Sequence, residues 1–199
     1  MAGQKKRAAK KSKSLARTSA PKSTSTEIQH FGDIAAYPLA LADRAKEKSI
    51  EHLNRILAET LVLRDMYKKH HWQVSGPTFE QLHLLYDKHY EAQVEIVDTL
   101  AERVQMLGGI SIAMPHDVLE VSTLPRPPKG RETPYAQIVR LLHAHEHILK
   151  LARVGARAAS DAGDDGTNDM IVGGVIRPNE MQVWFLNAHL HGVPVVQRK

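Results

Sequence analysis

Four long stretches of helical hydrophobic periodicity, each ended by glycine or proline, decide what this chain can fold into. From Asp43 onward Leu53, Ile56, Leu57 and Leu61 recur at three- and four-residue spacing with Glu, Lys and Arg between them, the pattern of an amphipathic helix rather than the alternation of a strand. The spacing predicts a first helix, A, over about 44–70. Gly76-Pro77 punctuates, Pro77 being suited to a first helical turn, and a second helix, B, continues until Gly108-Gly109 stops it. At about 31 residues it would be roughly 46 Å long. Residues 110–132 carry Pro115, Pro125, Pro127, Pro128 and Gly130 and read as a connector, with one apolar patch, Val118-Leu119-Glu120-Val121, able to make a helical turn or two. Thr133-Pro134 supplies an N-cap and a first-turn proline for a third helix, C, which lasts until Gly163. The fourth, D, begins near Thr167 and ends by Gly192; Gly173-Gly174 and Pro178 lie inside it and predict a kink or bend.

Two short links, A to B and C to D, make antiparallel pairs, and the long link from B to C can cross the bundle. The expected fold class is therefore all-α, a ferritin-like four-helix bundle with a long B–C crossover carrying a short helix. At 199 residues the chain can bury such a core without staples. Cysteine is absent, which excludes a disulfide framework, a thiolate metal site and a cysteine nucleophile. Any metal must be held by His, Asp or Glu. No apolar run approaches the roughly 18 residues of a membrane span, so a soluble protein with no membrane partner is expected.

The formal charge of +5 is unevenly spread. Residues 1–26 hold eight basic groups, Lys5, Lys6, Arg7, Lys10, Lys11, Lys13, Arg17 and Lys22, and no acid; the remaining 19 of the 27 basic groups face 22 acids in residues 27–199. The tail is thus +8 and the body −3. Rich in Lys, Ala, Ser and Thr, the tail lacks the apolar content that would repay ordering, and is expected to be disordered. Three readings compete: an organellar transit peptide, a solubility tail, and an arm that displaces counterions along phosphates. With no aromatic to stack on bases, such an arm would bind DNA without sequence preference. The expected organisation is a flexible basic tail over 1–26, an N-terminal extension over 27–43, the bundle over 44–192 and a short C-terminal tail over 193–199.

Helix B carries the chemistry. His83 and Asp87 are four apart and share a face, as do Asp98 and Glu102. The 11 residues from Asp87 to Asp98 turn to within about 20° of whole turns, so all four groups line one stripe, but they rise about 16.5 Å. That is far beyond the separation of roughly 3.5–4 Å in a dinuclear site. One copy of helix B cannot assemble them; two antiparallel copies can, placing His83 and Asp87 of one chain opposite Asp98 and Glu102 of the other, twice, across a two-fold axis. His71, at the end of helix A, is placed to complete the half-site, with His70 as its immediate rival. Such a ligand set suits Fe(II), with zinc or manganese as competitors. The plainer reading is a polar stripe that faces water.

His71-Trp72-Gln73-Val74-Ser75-Gly76-Pro77, Phe79, Leu82-His83, Asp87, Asp98-Thr99-Leu100-Ala101-Glu102-Arg103 and Gly108 together resemble the signature of the Dps family, the DNA-binding proteins from starved cells. The match extends from helix A to the end of helix D. The resemblance implies a hollow dodecameric mini-ferritin of 23 symmetry with ferroxidase centres at its dimer interfaces, His71, His83 and Asp87 coming from one subunit and Asp98 and Glu102 from its mate. It implies an enzyme, a ferroxidase that oxidises Fe(II) preferentially with hydrogen peroxide, stores ferric mineral and protects DNA in the cytoplasm, associated with the nucleoid. The alternative is an architectural DNA-binding shell with little ferroxidase activity. Trp72 would pack near the site or serve as a core aromatic at a helix end, and Arg103 is expected to pair with a carboxylate rather than handle substrate.

A second acidic cluster, Asp161, Asp164, Asp165 and Asp169, lies at the turn into helix D. Acids there complement the helix dipole, and the stretch Gly163–Asp169 also resembles the family segment lining a three-fold pore that admits iron; by that match Asp165 and Asp169 are the pore residues, with Asp161 one position off the pattern. His143-Ala144-His145-Glu146-His147 formally matches the zinc-peptidase pattern His-x-x-Glu-His, but a small helical bundle leaves little room for a third ligand and a substrate cleft. His145 or Glu146 is expected to face the core, and an accessory metal site near His143, His145 and His147, or at His30 or His52, stays open.

Overall fold

The computed structural model describes residues 26–191. The eight cations of the expected basic tail and the short C-terminal tail over 193–199 lie outside the described residues. Among the described residues six α-helices follow in chain order: α1 (Asp43–Gln73), α2 (Phe79–Met106), α3 (Pro115–Val121), α4 (Pro134–Asp161), α5 (Asp165–Met170) and α6 (Arg177–Ala188), the last two joined by a π-helical turn over Ile171–Ile176. There is no strand among the described residues. α1 packs along α2 and α4, α4 packs on α5, the π turn and α6, and α3 of the crossover lies on α1. These are the four rods and the crossover helix that the periodicity predicts.

Where boundaries differ, local chemistry explains the shift. α1 runs to Gln73, past the expected end near residue 70, because the ladder continues until the Val74 N–H has bonded the His70 carbonyl at 2.8 Å. His71 and Trp72 therefore sit in the last helical turn. α4 starts as expected, with Thr133 Oγ1 accepting from the Ala136 N–H at 3.3 Å and Pro134 in the first turn. In the fourth rod the expected bend is a widened turn. Pro178 has no N–H to offer the preceding turn, and the ladder shifts to five-residue spacing, with the Arg177 N–H bonding the Val172 carbonyl.

Gly108 ends α2 with φ of +87°, a conformation that favours glycine. Its carbonyl then accepts from the Ala35 N–H at 2.8 Å and from Gln29 Nε2 at 2.9 Å, which pins the N-terminal extension to the end of α2. A Cβ at this position would lie 2.3 Å from the Ala35 carbonyl oxygen, so the residue serves both the helix stop and the close approach.

Leu53, Leu57, Leu63, Leu100, Leu141 and Ile148 are fully buried along the bundle axis, each side chain contributing roughly 1.5–3 kcal/mol by leaving water. The core is also polar at one level. The Tyr67 hydroxyl lies 2.5 Å from His145 Nε2 and 3.1 Å from His89 Nδ1, and His145 Nδ1 lies 2.8 Å from Asn179 Oδ1. Gln93 Nε2 donates to Asn179 Oδ1 and Gln182 Oε1. An amide oxygen only accepts, so His145 donates from Nδ1, Tyr67 donates to its Nε2, and His89 donates to Tyr67. All four rods contribute to this chain of neutral groups. His145 thus faces the core as expected, whereas Glu146 is exposed and paired with Lys150 at 2.7 Å.

Candidate metal centre

The α1–α2 turn brings together three of the five sequence-predicted ligands. His71, in the last turn of α1, stacks on His83 of α2 with ring centroids 3.8 Å apart and planes 20° from parallel. Each ring bonds the other residue's backbone: His71 Nδ1 lies 2.9 Å from the His83 carbonyl oxygen, and His83 Nδ1 lies 3.0 Å from the His71 carbonyl oxygen. A carbonyl only accepts, so both Nδ1 atoms carry the proton and both Nε2 atoms keep a lone pair when the rings are neutral. Either nitrogen of a neutral imidazole can bind a metal, and here an outer-shell acceptor on Nδ1 leaves Nε2 for that role.

Asp87, one turn beyond His83, has its Oδ1 3.8 Å from His71 Nδ1. Lys68 Nζ donates to the same oxygen at 2.5 Å. This hydrogen bond, helped by the nearby imidazoles, holds the Asp87 carboxyl below its usual range. Lys68 was not legible as a site residue. Its position three residues before His71, on the same helical face, is the signal that could have found it.

His70 and His71 differ in burial. His70 is wholly buried, neither ring nitrogen has a partner, and burial, then the charge of Lys69, pushes its pKa down to about 4. Trp72 is 70% exposed, which overturns its reading as a core aromatic. Asp98 and Glu102 are exposed on α2, separated along the helix from the His71–His83–Asp87 group. No three imidazoles or carboxylates gather closely enough to hold a metal among the described residues of one chain.

The second acidic cluster divides. Asp164 is buried and caps α5 through the Thr167 N–H at 3.0 Å; it also accepts from Ser49 Oγ at 2.7 Å, Thr167 Oγ1 at 2.6 Å and Arg103 Nη2 at 2.7 Å. Burial raises its pKa, but these bonds outweigh burial and hold the carboxyl below its usual range. Arg103 therefore pairs with a carboxylate, as expected, and ties α2 to the start of the fourth rod. Asp161, Asp165 and Asp169 are exposed. His30 is exposed and meets Glu27 at 2.9 Å, and His52 is half-buried; neither belongs to a metal-sized cluster.

A ferritin-like domain matches residues 50–194. The structure of DpsC from Streptomyces coelicolor is 47% identical, superposes with a TM-score of 0.84, and is matched over 86% of this chain and 99% of its own. DNA protection during starvation protein 2 of Bacillus anthracis is 30% identical over 142 residues, covering 71% of this chain and 96% of that protein. The chain belongs to the Dps family of ferritin-like proteins. A third relative, the Dps protein of Vibrio cholerae, is 25% identical with a TM-score of 0.74, covers 79% of this chain and 98% of its own, and is described as a member of a broad superfamily of ferritin-like diiron-carboxylate proteins.

Ordinary ferritin-like di-iron proteins build their site inside one bundle from Glu-x-x-His pairs. The helices of this Dps chain contain one such pair, Glu80 and His83, but Glu80 is exposed. At the level of Tyr67 the core offers imidazoles, amides and a phenol without a carboxylate. A cation there would lack the anions that offset its desolvation, so the bundle interior is ill suited to a di-iron site.

Proposed function

We propose that this protein is a Dps-type mini-ferritin whose ferroxidase centre is dinuclear and shared between two chains, with His71, His83 and Asp87 from one and Asp98 and Glu102 from its mate. Fe(II) is the substrate, and ferric mineral stored inside a hollow dodecamer of 23 symmetry is the product. The observation that carries the reading is the reciprocal bonding of His71 and His83 to each other's carbonyls, which leaves both Nε2 lone pairs free, with Asp87 one turn beyond His83. Asp98 and Glu102 are on the same stripe of α2, too far along the axis for one chain to use them with the first group. On that face Phe79, Leu84 and Val94 are 45%, 62% and 37% exposed, apolar surface that an antiparallel second copy of α2 would cover.

Hydrogen peroxide is the favoured oxidant in this reading. Two Fe(II) ions each give one electron, peroxide takes both, its O–O bond breaks, and with two protons it leaves as two waters. Pairing the electrons in this way releases no hydroxyl radical, which protects DNA nearby. The basic tail, with Lys5, Lys6, Arg7, Lys10, Lys11, Lys13, Arg17 and Lys22, is assigned to DNA without sequence preference, and several tails on one particle would bind with avidity. Asp165 and Asp169, both exposed, are assigned to the pore that admits iron. No helix among the described residues is long and apolar enough to cross a membrane; the site of action assigned here is the cytoplasm, at the nucleoid.

The test is anaerobic loading with Fe(II) followed by peroxide, with ferric absorbance recorded for the wild type and for Asp98→Asn/Glu102→Gln. Fast oxidation in the wild type that is lost in the variant is the expected result. Equal, slow oxidation in both would refute the shared centre and leave an architectural DNA-binding shell.

A further inference from the structure

The histidine run on α4 is not used by the chemistry above. On a helix, residues 143 and 147 fall about 40° apart and residue 145 points to the opposite side. The structure follows this division: His145 is spent in the core, while His143 and His147 both line a cavity of about 420 Å³. The cavity lies between α4, the crossover at Thr123–Pro125 and Met66 of α1. His143 is exposed and His147 half-buried, and His143 has no hydrogen-bond partner among the described residues.

The proton on His147 is placed by its neighbours. Its Nε2 lies 3.2 Å from Glu59 Oε1 and 3.0 Å from Thr123 Oγ1. Glu59 is wholly buried and accepts from Ser122 Oγ at 2.6 Å, the Thr123 N–H at 2.7 Å and Thr123 Oγ1 at 2.8 Å. A carboxylate so held only accepts, and the Thr123 hydroxyl has already given its hydrogen to Glu59. Both neighbours therefore take the His147 Nε2 proton, and the lone pair of neutral His147 is on Nδ1. A carboxylate bonded to one imidazole nitrogen, orienting the other toward a cation, is the usual outer shell of a histidine metal ligand.

We propose that His143 and His147 form a second metal site, a two-imidazole chelate for Cu(II), with Zn(II) bound more weakly, water filling the remaining positions and Glu59 orienting His147. Imidazole side chains four apart on a helix have Cβ atoms roughly 5–6 Å apart, close enough to converge on one ion. No third imidazole or carboxylate joins them as a ligand among the described residues, so the site is a borderline nitrogen donor set without bound anionic ligands. Such a set ranks Cu(II) well above Fe(II).

The full-length protein carrying His71→Ala/His83→Ala/Asp98→Asn/Glu102→Gln, titrated with Cu(II) chloride, separates the site from the iron centre, whose two imidazoles would otherwise also bind Cu(II). One Cu(II) per chain is expected, with nitrogen hyperfine structure from two imidazoles in its electron paramagnetic resonance spectrum. Adding His143→Ala, an exposed substitution that leaves the fold intact, should weaken that Cu(II) by at least the roughly 10–100-fold that loss of an orienting partner costs and reduce the hyperfine pattern to one imidazole. Adding Glu59→Gln should weaken it less while both nitrogens stay visible. Stoichiometry, affinity and spectrum unchanged by His143→Ala would overturn the proposal.

Discussion

Acidification should unfold this protein through its buried imidazoles well before its carboxylates are protonated. His70, His89 and His145 are at most 4% exposed. Burial, the largest effect on each, pushes them down from 6.5 to about 4, about 3 and about 4 respectively, with neighbouring charges adding to it for His70 and His89. Between pH 6.5 and about 4 the unfolded chain binds protons that the folded chain refuses, so stability falls as pH drops through this window and levels off below about 3. Going from pH 7 to pH 5, each imidazole removes about 2 kcal/mol, and the three together remove about 6 kcal/mol. That is comparable with the whole stability of many domains, about 5–15 kcal/mol. Glu59 and Asp164 do not blur the window. Their folded-state values are lowered, so the stability they contribute is present above the unfolded carboxylate range and is lost only below it. Guanidinium unfolding of iron-free protein, followed by circular dichroism at one protein concentration and at pH 7, 6 and 5, measures the slope. His70→Leu, which removes an imidazole with neither nitrogen paired, should recover about 2 kcal/mol at pH 5, one imidazole's share. A loss under about 1 kcal/mol between pH 7 and pH 5, or an unchanged slope in His70→Leu, would refute the reasoning.

Asp164→Ala leaves Arg103, Ser49 and Thr167 without their shared acceptor, and a broken buried pair should lower stability by about 3–5 kcal/mol; at roughly 2–4 °C per kcal/mol a thermal melt should move down by about 10 °C. Gly108→Ala forces a Cβ against the Ala35 carbonyl at positive φ, so the extension should detach, with faster proteolysis near Ala35 and a loss of more than about 1 kcal/mol. Removing residues 1–26 should abolish retention of DNA in a gel shift at moderate salt, together with a log–log salt slope of up to about −7, while iron oxidation is unchanged; an equal shift by the truncated protein would remove the tail from the DNA interface.

Much of the bundle was legible because helices advertise themselves locally. Leu53, Ile56, Leu57 and Leu61 announce a buried face, Thr133-Pro134 a start and Gly108 a stop, each through interactions within a turn or two of the chain. The polar level of the core was not legible. His89 and Gln93 continue the spacing of Leu82, Tyr86, Ile96 and Leu100, so their burial follows from the heptad register, but their partners Tyr67, His145 and Asn179 come from three other rods. The choice between His70 and His71 was equally closed to local reasoning, since one residue of rotation moves a side chain by about 100°, from the core to the surface.

The sequence by itself determined the helical architecture, the crossover, the single stripe on α2 and the axial separation that forbids one chain from joining its two halves, because periodicity and pitch are properties of the backbone alone. Only the tertiary structure decided which nitrogens of His71 and His83 keep their lone pairs, that Lys68 holds Asp87, that Asp164 belongs to a buried clamp, and that His143 and His147 share a cavity while His145 does not. Protonation and access depend on atoms brought together from distant parts of the chain. Those contacts exist only after the rods have packed.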